Sequence, residues 1–220
     1  MKADKGNYVP ALGFEWLTAV YDPVVRVTTR EKLFKAALVR QAGIRQNHCV
    51  LGLGCGTGTL AILLKCTQPG ADIVGLDGDA KILKIAKRKA QAANTEIRFD
   101  EGMSFELPYE DESYDRVISS LFFHHLTRID KLRTLNEVRR MLKPDGELHI
   151  ADWGRPQNFL MRIVSGGITL LDGAETTNDN FKGRLASLVI ESGFHDVDET
   201  SHFNTLFGTI RLLRARRADG

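Results

Sequence analysis

Apolar runs alternate with amphipathic stretches through the middle of the chain. Residues 48–53 and 71–76 are short, almost uninterrupted apolar runs, which is the pattern of parallel strands buried on both faces. Residues 57–65 follow the first run with helical character, and the stretch after Asp79 places leucine and alanine on one helical face and lysine and arginine on another. The pattern predicts two successive strand-to-helix units, with Asp79 as the cap of the second helix.

The same alternation continues into the second half of the chain. Strands are predicted over residues 96–99, 114–120 and 147–152. A helix is predicted over residues 132–142, and the Pro-Asp-Gly turn at 144–146 ends it. Repeated β-helix-β units need crossover connections, so they predict a mainly parallel sheet with helices on both faces.

The C-terminal part breaks this alternation. A helix over residues 181–191 leads into two strand-like runs, 195–203 and 207–215. Only residues 204–206 separate the two runs, which is too short for a parallel crossover, so the runs are predicted to pair antiparallel. The predicted fold class is therefore α/β: a doubly wound, mostly parallel sheet with an antiparallel C-terminal hairpin.

The composition fits a single domain over residues 1–220, with 43% hydrophobic and 26% charged residues. No apolar run approaches the roughly 20 residues that cross a bilayer, and the first thirteen residues carry no secretory signal, so a cytoplasmic location is expected. The net charge of +2 gives no reason to expect a nucleic-acid partner. We interpret the arginines near the C-terminus as a solvated chain end; they are Arg211, Arg214, Arg216 and Arg217.

The three cysteines, Cys49, Cys55 and Cys66, are an odd number and contain no CxxC pair. This argues against a disulfide framework and against a zinc site. Reduced thiols and no bound metal are expected.

A glycine-rich segment joins the first predicted strand to the first predicted helix. Glycines recur at alternate positions from Gly52 to Gly58, where they allow a ligand to approach the backbone, and the helix N-terminus offers free N–H groups to an anionic group. Asp77 ends the second strand 23 residues after Gly54 and could accept hydrogen bonds from both hydroxyls of a ribose. Together they predict a nucleotide site of Rossmann type.

The glycine spacing argues against a nicotinamide dinucleotide. That cofactor favours G-x-G-x-x-G, but Thr57 stands at the final position after Gly52 and Gly54. Only Gly56, Gly58 and Ala61 satisfy a looser pattern, and they begin well past the end of the strand.

The segment Val50 to Gly58, VLGLGCGTG, resembles the VLDLGCGTG signature of class I S-adenosylmethionine-dependent methyltransferases. Further segments resemble that family's later motifs in the same order: Ile73 to Asp77, Gly102 to Pro108, Tyr114 to Leu126 and Leu142 to Gly146. The resemblance is strongest to the quinone-biosynthesis and related small-molecule methyltransferases, and it covers roughly residues 14 to 153. It implies a Rossmann-like seven-stranded sheet whose last strand is antiparallel.

The resemblance implies S-adenosylmethionine as cofactor. By position, Gly54 and Gly56 would lie against its methionine part, and Asp77 would hold the ribose. Met103 and Ser104 would flank the adenine. The implied cofactor-binding residues are Gly52, Leu53, Gly54, Cys55, Gly56, Asp77, Gly78, Gly102, Met103, Ser104, Ser120 and Leu121.

Two positions depart from the family pattern. Gly52 stands where the family usually has an aspartate near the cofactor's ammonium group. Met103 stands where the family usually has the aspartate that accepts from the adenine amino group, although a thioether can still pack on the ring. Both departures remove an acidic group from the implied cofactor site.

Three side chains near the ends of the fourth and fifth strands are candidates for catalysis. The methyl group of a sulfonium is already activated, so the enzyme mainly aligns the acceptor and excludes water, while a hydroxyl or acidic carbon also benefits from a base. His124 and His125 follow the fourth strand, and Asp152 ends the fifth, with Trp153 as a wall for a flat acceptor. Alternatively, the two histidines only bond to loop backbone.

Two segments outside the strands are expected to cover the site. Residues 1–45 are predicted to form N-terminal cap helices, and residues 155–176 a lid or insert. Their apolar side chains suggest a greasy acceptor pocket, and the alternative is that both pack on the sheet as outer helices. The apolar side chains in question are Phe14, Trp16, Leu17, Tyr21, Leu160, Ile163, Val164, Ile168 and Leu171.

The implied function is methyl transfer to oxygen or carbon of a small-molecule acceptor by in-line displacement. The principal alternative is a noncatalytic protein that binds S-adenosylmethionine or S-adenosylhomocysteine, which the missing acidic groups at Gly52 and Met103 motivate. A nicotinamide-dependent oxidoreductase is the weaker alternative. Neither a membrane span nor a nucleic-acid partner is expected.

Overall fold

The computed structural model describes residues 31–154, 183–205 and 208–218. Within these residues the chain forms a seven-stranded sheet with helices on both faces. The strands are β1 (Cys49–Leu53), β2 (Asp72–Asp77), β3 (Arg98–Glu101), β4 (Tyr114–Ser120), β5 (Leu142–Gly154), β6 (Phe194–Asn204) and β7 (Thr209–Arg217). The helices are α1 (Glu31–Ala42), α2 (Thr59–Thr67), α3 (Ala80–Ala92), a 3₁₀ helix (Phe123–His125), α4 (Arg128–Met141) and α5 (Leu185–Glu191).

The strand order is β3-β2-β1-β4-β5-β7-β6. The first five strands in this order are parallel, whereas β7 runs antiparallel to both of its neighbours, β5 and β6. The predicted α/β fold, mostly parallel with an antiparallel C-terminal hairpin, is therefore confirmed. Because β1 and β4 are adjacent but not consecutive in the chain, the connections diverge between them, and open α/β sheets bind ligands at such a point.

The two faces of the sheet are covered by different helices. Helices α1, α2 and α3 pack on one face through side chains such as Phe34 and Leu64. Helices α4 and α5 pack on the other face through side chains such as Leu135 and Leu188. Burial on both faces explains why the central strands read as apolar runs rather than as alternating patterns.

Several predicted boundaries differ from the structure by a few residues, and two of these differences have identifiable reasons. Helix α2 begins at Thr59 instead of residue 57, because Gly58 precedes it in a left-handed conformation with φ 77°. Strand β5 begins at Leu142, so the predicted turn at 144–146 is a bulge within the strand. Tyr114 pairs with Leu142 while Arg116 pairs with Glu147, and the extra residues loop out between the two pairs.

The segments predicted to cover the site lie largely outside the described residues. This holds for the lid or insert at residues 155–176 and for residues 1–30 of the cap. The described part of the cap is α1, which packs on the sheet with Phe34 and Leu38 fully buried. In the part of the chain that the structure describes, no helix has the length and apolar character of a membrane span.

Candidate active site

The glycine loop turns the chain from β1 into α2 through left-handed residues. Gly54, Gly56 and Gly58 have φ values of 62°, 53° and 77°, a region that side chains other than glycine enter only at a cost. Between them, the Cys55 N–H donates to the Leu76 carbonyl at 2.9 Å, which fastens the loop to β2. The alternate glycines are therefore a requirement of the backbone, and the loop reaches the carboxyl ends of both strands.

Gly54 and Gly56 have different surroundings. A Cβ atom added to Gly54 would overlap the ring of Phe122, whereas one added to Gly56 would meet no atom of the described residues within 4 Å. Phe122 thus covers Gly54, and the opening lies over Gly56. Of the two glycines expected beside the methionine part of the cofactor, Gly56 is the one that faces free space. Phe122 was not among the residues singled out from the sequence, and no local pattern marks it.

Asp77 projects from the end of β2 into the glycine loop. Its Oδ2 accepts from the Gly56 N–H at 2.8 Å, and its Oδ1 accepts from the Asp79 N–H at 3.1 Å. Burial raises the pKa of Asp77, although these backbone bonds oppose the shift. A carboxylate oxygen can accept two hydrogen bonds, so each oxygen of Asp77 has remaining capacity to accept from a ribose hydroxyl. Gly78 separates Asp77 from Asp79, which caps α3 by accepting from the Lys81 N–H.

The segment after β3 comes to the same edge of the sheet. The Gly102 N–H donates to the Asp77 carbonyl at 3.1 Å, which brings Gly102 and the half-buried Met103 beside the acid. Ser104 is buried, and its hydroxyl bonds to Thr134 of α4 at 2.8 Å. The side chain of Ser104 is thereby committed to the helix, so only Met103 of this expected adenine-flanking pair has its side chain available.

The end of β4 closes the opposite side of the loop. Leu121 has φ 54°, which is strained for a side chain of its type, and its N–H donates to the Ala151 carbonyl at 2.8 Å. The Ser120 hydroxyl is buried and has no hydrogen-bond partner among the described residues. The strained Leu121 and the unpaired Ser120 hydroxyl are thus adjacent, and both are among the residues that the family resemblance implies for cofactor binding.

Asp152 organises the turn that follows β4. It is 1% exposed and accepts from the backbone N–H groups of Phe122, His124 and Trp153 at 3.2, 3.3 and 2.7 Å. Its Oδ1 also lies 2.7 Å from the His124 Nδ1. Burial opposes ionisation, but His124 and these hydrogen bonds leave the pKa of Asp152 below its usual value. Both oxygens serve the fold, so this geometry favours positioning for Asp152 over contact with an acceptor.

The two adjacent histidines have unequal access to solvent. His124 is buried, whereas His125 is exposed, and the two rings lie with centroids 3.9 Å apart. Desolvation of the ring, and then the neighbouring His124, lower the pKa of His125. A neutral imidazole can accept a proton. Of the three candidates for catalysis, His125 is therefore the one that combines access with a free base.

The described residues fit S-adenosylmethionine. The space over Gly56, the Asp77 carboxylate and the unpaired Ser120 hydroxyl face one edge of the sheet, as a zwitterionic nucleoside requires. At Gly52, an added Cβ would make only ordinary contacts, the nearest 3.6 Å from the Val74 carbonyl oxygen. Glycine at this position is therefore not imposed by crowding. Among the described residues, no group of histidine, cysteine and acidic side chains could hold a metal ion.

The C-terminal arginines are paired along β7. Each of the four lies within ion-pairing distance of a carboxylate, three of them across β6 or β5. The pairs are Arg211 with Glu199, Arg214 with Asp198, Arg216 with Glu147, and Arg217 with Glu112. The expectation of a solvated chain end is therefore wrong: these arginines belong to the sheet, and neighbouring acids compensate their charge.

Comparison with known proteins agrees with this geometry. A family model described as a methyltransferase domain matches residues 50–146. The chain is 33% identical to a demethylmenaquinone methyltransferase of Deinococcus radiodurans over 165 residues, which are 74% of this chain and 67% of that protein. It is 38% identical to the demethylmenaquinone methyltransferase of Thermus thermophilus over 115 residues, which are 52% of this chain and 51% of that protein. The match thus spans about half the length of the Thermus protein.

Solved structures share the fold at low sequence identity. An S-adenosylmethionine-dependent methyltransferase from Methanosarcina mazei superposes with a TM-score of 0.66 at 17% identity, covering 83% of this chain and 98% of that one. The chain therefore belongs to the class I S-adenosylmethionine-dependent methyltransferases, in the group of the quinone-biosynthesis enzymes.

Proposed function

We propose that this chain transfers a methyl group from S-adenosylmethionine to oxygen or carbon of a small-molecule acceptor. The observation that carries the proposal is the bond of 2.8 Å between Asp77 and the Gly56 N–H. It holds an acid at the edge of an open glycine cradle, and the turn with His125 follows the adjacent end of β4.

The cofactor site is formed by three strand ends. Asp77 would accept from the ribose hydroxyls, Met103 would pack on the adenine, and the cradle at Gly56 would receive the methionine part. The N-terminus of α2 offers unpaired backbone N–H groups to the methionine carboxylate. Leu53, Cys55 and Leu121 would complete the wall through their backbone, since they are chain neighbours of Gly54, Gly56 and Ser120.

The chemistry that S-adenosylmethionine supplies when bound is an electrophilic methyl group on a sulfonium sulfur. The chain's own contribution is to orient an acceptor in line with that methyl group and to exclude water. Asp152 fixes the turn after β4, and this turn carries Phe122 over the glycine loop and leaves His125 accessible. We propose His125 as the base that accepts the acceptor's proton, because its side chain is exposed at the turn that follows β4 and an unprotonated imidazole can accept a proton.

The names of the relatives suggest the class of acceptor. Two of them are a demethylmenaquinone methyltransferase and a 2-phytyl-1,4-naphtoquinone methyltransferase. An electrophilic methyl group needs an electron-rich partner, so we propose the reduced, hydroquinone form of a naphthoquinone as the acceptor. A small acceptor also fits the charge distribution better than a nucleic acid does, because the arginines of β7 are paired with carboxylates.

The test combines cofactor binding with turnover. Calorimetric titration with S-adenosylhomocysteine should give saturable heat, and Asp77→Ala should weaken binding about ten-fold or more because hydrogen bonds to a charged group are lost. Asp79→Ala is the matched control, because Asp79 caps α3 and bonds to Asp77 only through its backbone N–H. Transfer of labelled methyl to a reduced demethylnaphthoquinone should then be measured. Binding without transfer to any acceptor would support the noncatalytic alternative.

A further inference from the structure

The Ser120 hydroxyl is a buried polar group without a partner among the residues that the structure describes. Its Oγ is buried, and no described residue donates to it or accepts from it. The preceding serine differs, since the Ser119 Oγ donates to the Leu53 carbonyl at 3.0 Å. A buried polar group without a bond costs free energy and is rare in native structures, so an unpaired hydroxyl beside a ligand site indicates a bond made only when the ligand is present.

Sheet register places Ser120 on the same face as Gly52. Gly52 pairs with Ile118 across the parallel strands β1 and β4, and Leu53 pairs with Ser119. Side chains alternate between the faces, so Ile118 and Ser120 project on one face and Ser119 on the other. Ser120 therefore lies two residues beyond Ile118, the partner of Gly52, in the direction of the glycine loop. Its side chain is on the face where a side chain at position 52 would project.

Position 52 is where the family resemblance places a carboxylate near the cofactor's ammonium group. This chain has glycine there, although an added Cβ would make only ordinary contacts. In the proposed function, the methionine carboxylate binds separately at the N-terminus of α2, which has no side-chain cap and where backbone N–H groups would donate to it. The ammonium group donates and does not accept, so the group it needs on this face is an oxygen with free lone pairs.

We propose that the Ser120 Oγ accepts a hydrogen bond from the ammonium group of bound S-adenosylmethionine and so takes over part of the role of the missing carboxylate. The inference rests on the proposed function, because it requires that cofactor. It assigns Ser120 as a residue that determines recognition of the amino end of the ligand rather than of its nucleoside.

The experiment compares two ligands and two serine variants by calorimetry. The ligands are S-adenosylhomocysteine and its analogue in which hydrogen replaces the amino group. Ser120→Ala should weaken binding of S-adenosylhomocysteine about ten-fold, because a hydrogen bond to a charged group is lost, and should leave binding of the deamino analogue unchanged. Ser119→Ala is the matched control on the same strand and should change the two affinities equally or not at all.

Thermal unfolding of the ligand-free variants gives a second readout. Ser120→Ala removes an unpaired buried hydroxyl, so its unfolding temperature should equal or exceed that of the unaltered protein. Ser119→Ala breaks the bond to Leu53 and should lower it. A Ser120→Ala variant that binds both ligands normally, or loses affinity for both equally, would overturn the inference. If the unaltered protein does not bind S-adenosylhomocysteine, the proposed function itself fails, and the inference with it.

Discussion

Two histidine–carboxylate pairs lie near opposite ends of the part of β5 that follows the bulge, residues 147–154, and their surroundings differ. His149 and Glu147 are near the amino end of this part, with 3.2 Å between the histidine Nε2 and the glutamate Oε2. Asp152 is near the carboxyl end and lies 2.7 Å from the Nδ1 of His124. All four residues are buried, so exposure alone does not separate a structural pair from a functional one.

At the amino end, every polar atom of the histidine ring is used by the fold. Gln41 of α1 donates from its Nε2 to the His149 Nδ1 at 3.1 Å and to the Leu213 carbonyl at 2.9 Å. With Nδ1 accepting, the Nε2 of the neutral ring donates to Glu147. The bond from His149, together with the nearby Arg116, lowers the pKa of Glu147 to about 2, although burial opposes the shift. This pair fastens α1 to the sheet.

At the carboxyl end, the pair shapes a turn instead. Asp152 bonds to the His124 ring and accepts from the backbone N–H groups of Phe122 and His124, and this holds Leu121 in a strained left-handed conformation. Such strain costs about 1 to 3 kcal/mol and persists only where surrounding bonds enforce it. The turn leaves His125 exposed beside the glycine loop. The comparison teaches that the function of a buried histidine–carboxylate pair depends on whether the surrounding residues leave a polar side chain accessible beside it.

The largest expected effect is on turnover. Replacing His125 by alanine should slow methyl transfer roughly 10²-fold to 10⁴-fold, because a positioned base is removed. Unfolding in urea should change by less than about 0.5 kcal/mol, since the side chain is exposed. The exposed His202 on β6 provides a control, and His202→Ala should keep full activity. An unchanged rate in His125→Ala would remove this residue from the chemistry.

Replacing the acid of each pair by alanine should lower the free energy of unfolding more for Asp152 than for Glu147. Asp152→Ala breaks the pair with His124 and leaves buried N–H groups without acceptors, so it should lower the free energy of unfolding by about 3 to 5 kcal/mol. Glu147→Ala should cost about 1 to 3 kcal/mol, because Gln41 still bonds to His149. Urea unfolding measures both. Equal losses of unfolding free energy in the two variants would show that Asp152 contributes no more to stability than Glu147 does.

Gly54→Ala tests the contact that the carboxyl-end turn imposes on the glycine loop. A left-handed alanine costs about 1 to 2 kcal/mol, and overlap with the Phe122 ring adds about 1 to 3 kcal/mol. Gly56→Ala should show only the first of these costs, because its Cβ enters open space. In a Phe122→Ala background, the two glycine variants should become equally costly in urea unfolding. A persistent difference would contradict the assigned contact.

The smallest expected effect is on the pH dependence of stability at the amino end. Burial lowers the pKa of His149 below that of the unfolded chain, about 6.5. As pH falls through that value, the unfolded state binds a proton that the folded state does not, so stability falls with decreasing pH. The lowered pKa of Glu147 acts in the same direction but at lower pH, because it contributes stability that is lost as the pH falls from about 4.5 to about 2.

His149→Gln should therefore flatten the stability curve between pH 6.5 and 5, with a slope smaller by up to about 1.4 kcal/mol per pH unit. Urea unfolding at several pH values measures the slope, and His202→Gln is the exposed control. An unchanged slope in His149→Gln would mean that this ring is not held neutral.

Local patterns predicted most of the fold. Strand β4 has the predicted bounds, and the short connection after β6 correctly predicted an antiparallel hairpin. The start of β5 was wrong, because the pairing of Leu142 with Tyr114 across a bulge depends on a residue 28 positions earlier in the chain. The local sequence pattern identifies the turn residues at 144–146, but it does not show that they form a bulge within a longer strand.

The candidate site was predicted less completely. Motif order placed Asp77, His125 and Asp152 near one edge of the sheet, since the carboxyl ends of parallel strands meet there. The cover that Phe122 forms over Gly54 and the bond from Ser104 to Thr134 were not predicted. Both are contacts between segments distant in sequence, and no local pattern marks Phe122 or Thr134 as a contact residue.

The sequence by itself determined the order of strands and helices, the glycine loop and the acid that follows it, because these depend on spacing along the chain and on the conformational freedom of glycine. Only the tertiary structure decided which polar groups remain free for a ligand. Asp152 and His149 form hydrogen bonds within the fold, whereas the hydroxyl of Ser120 has no partner among the described residues. That distinction arises from packing between residues far apart in the chain, and a hydrogen bond is satisfied or not only once the chain is folded.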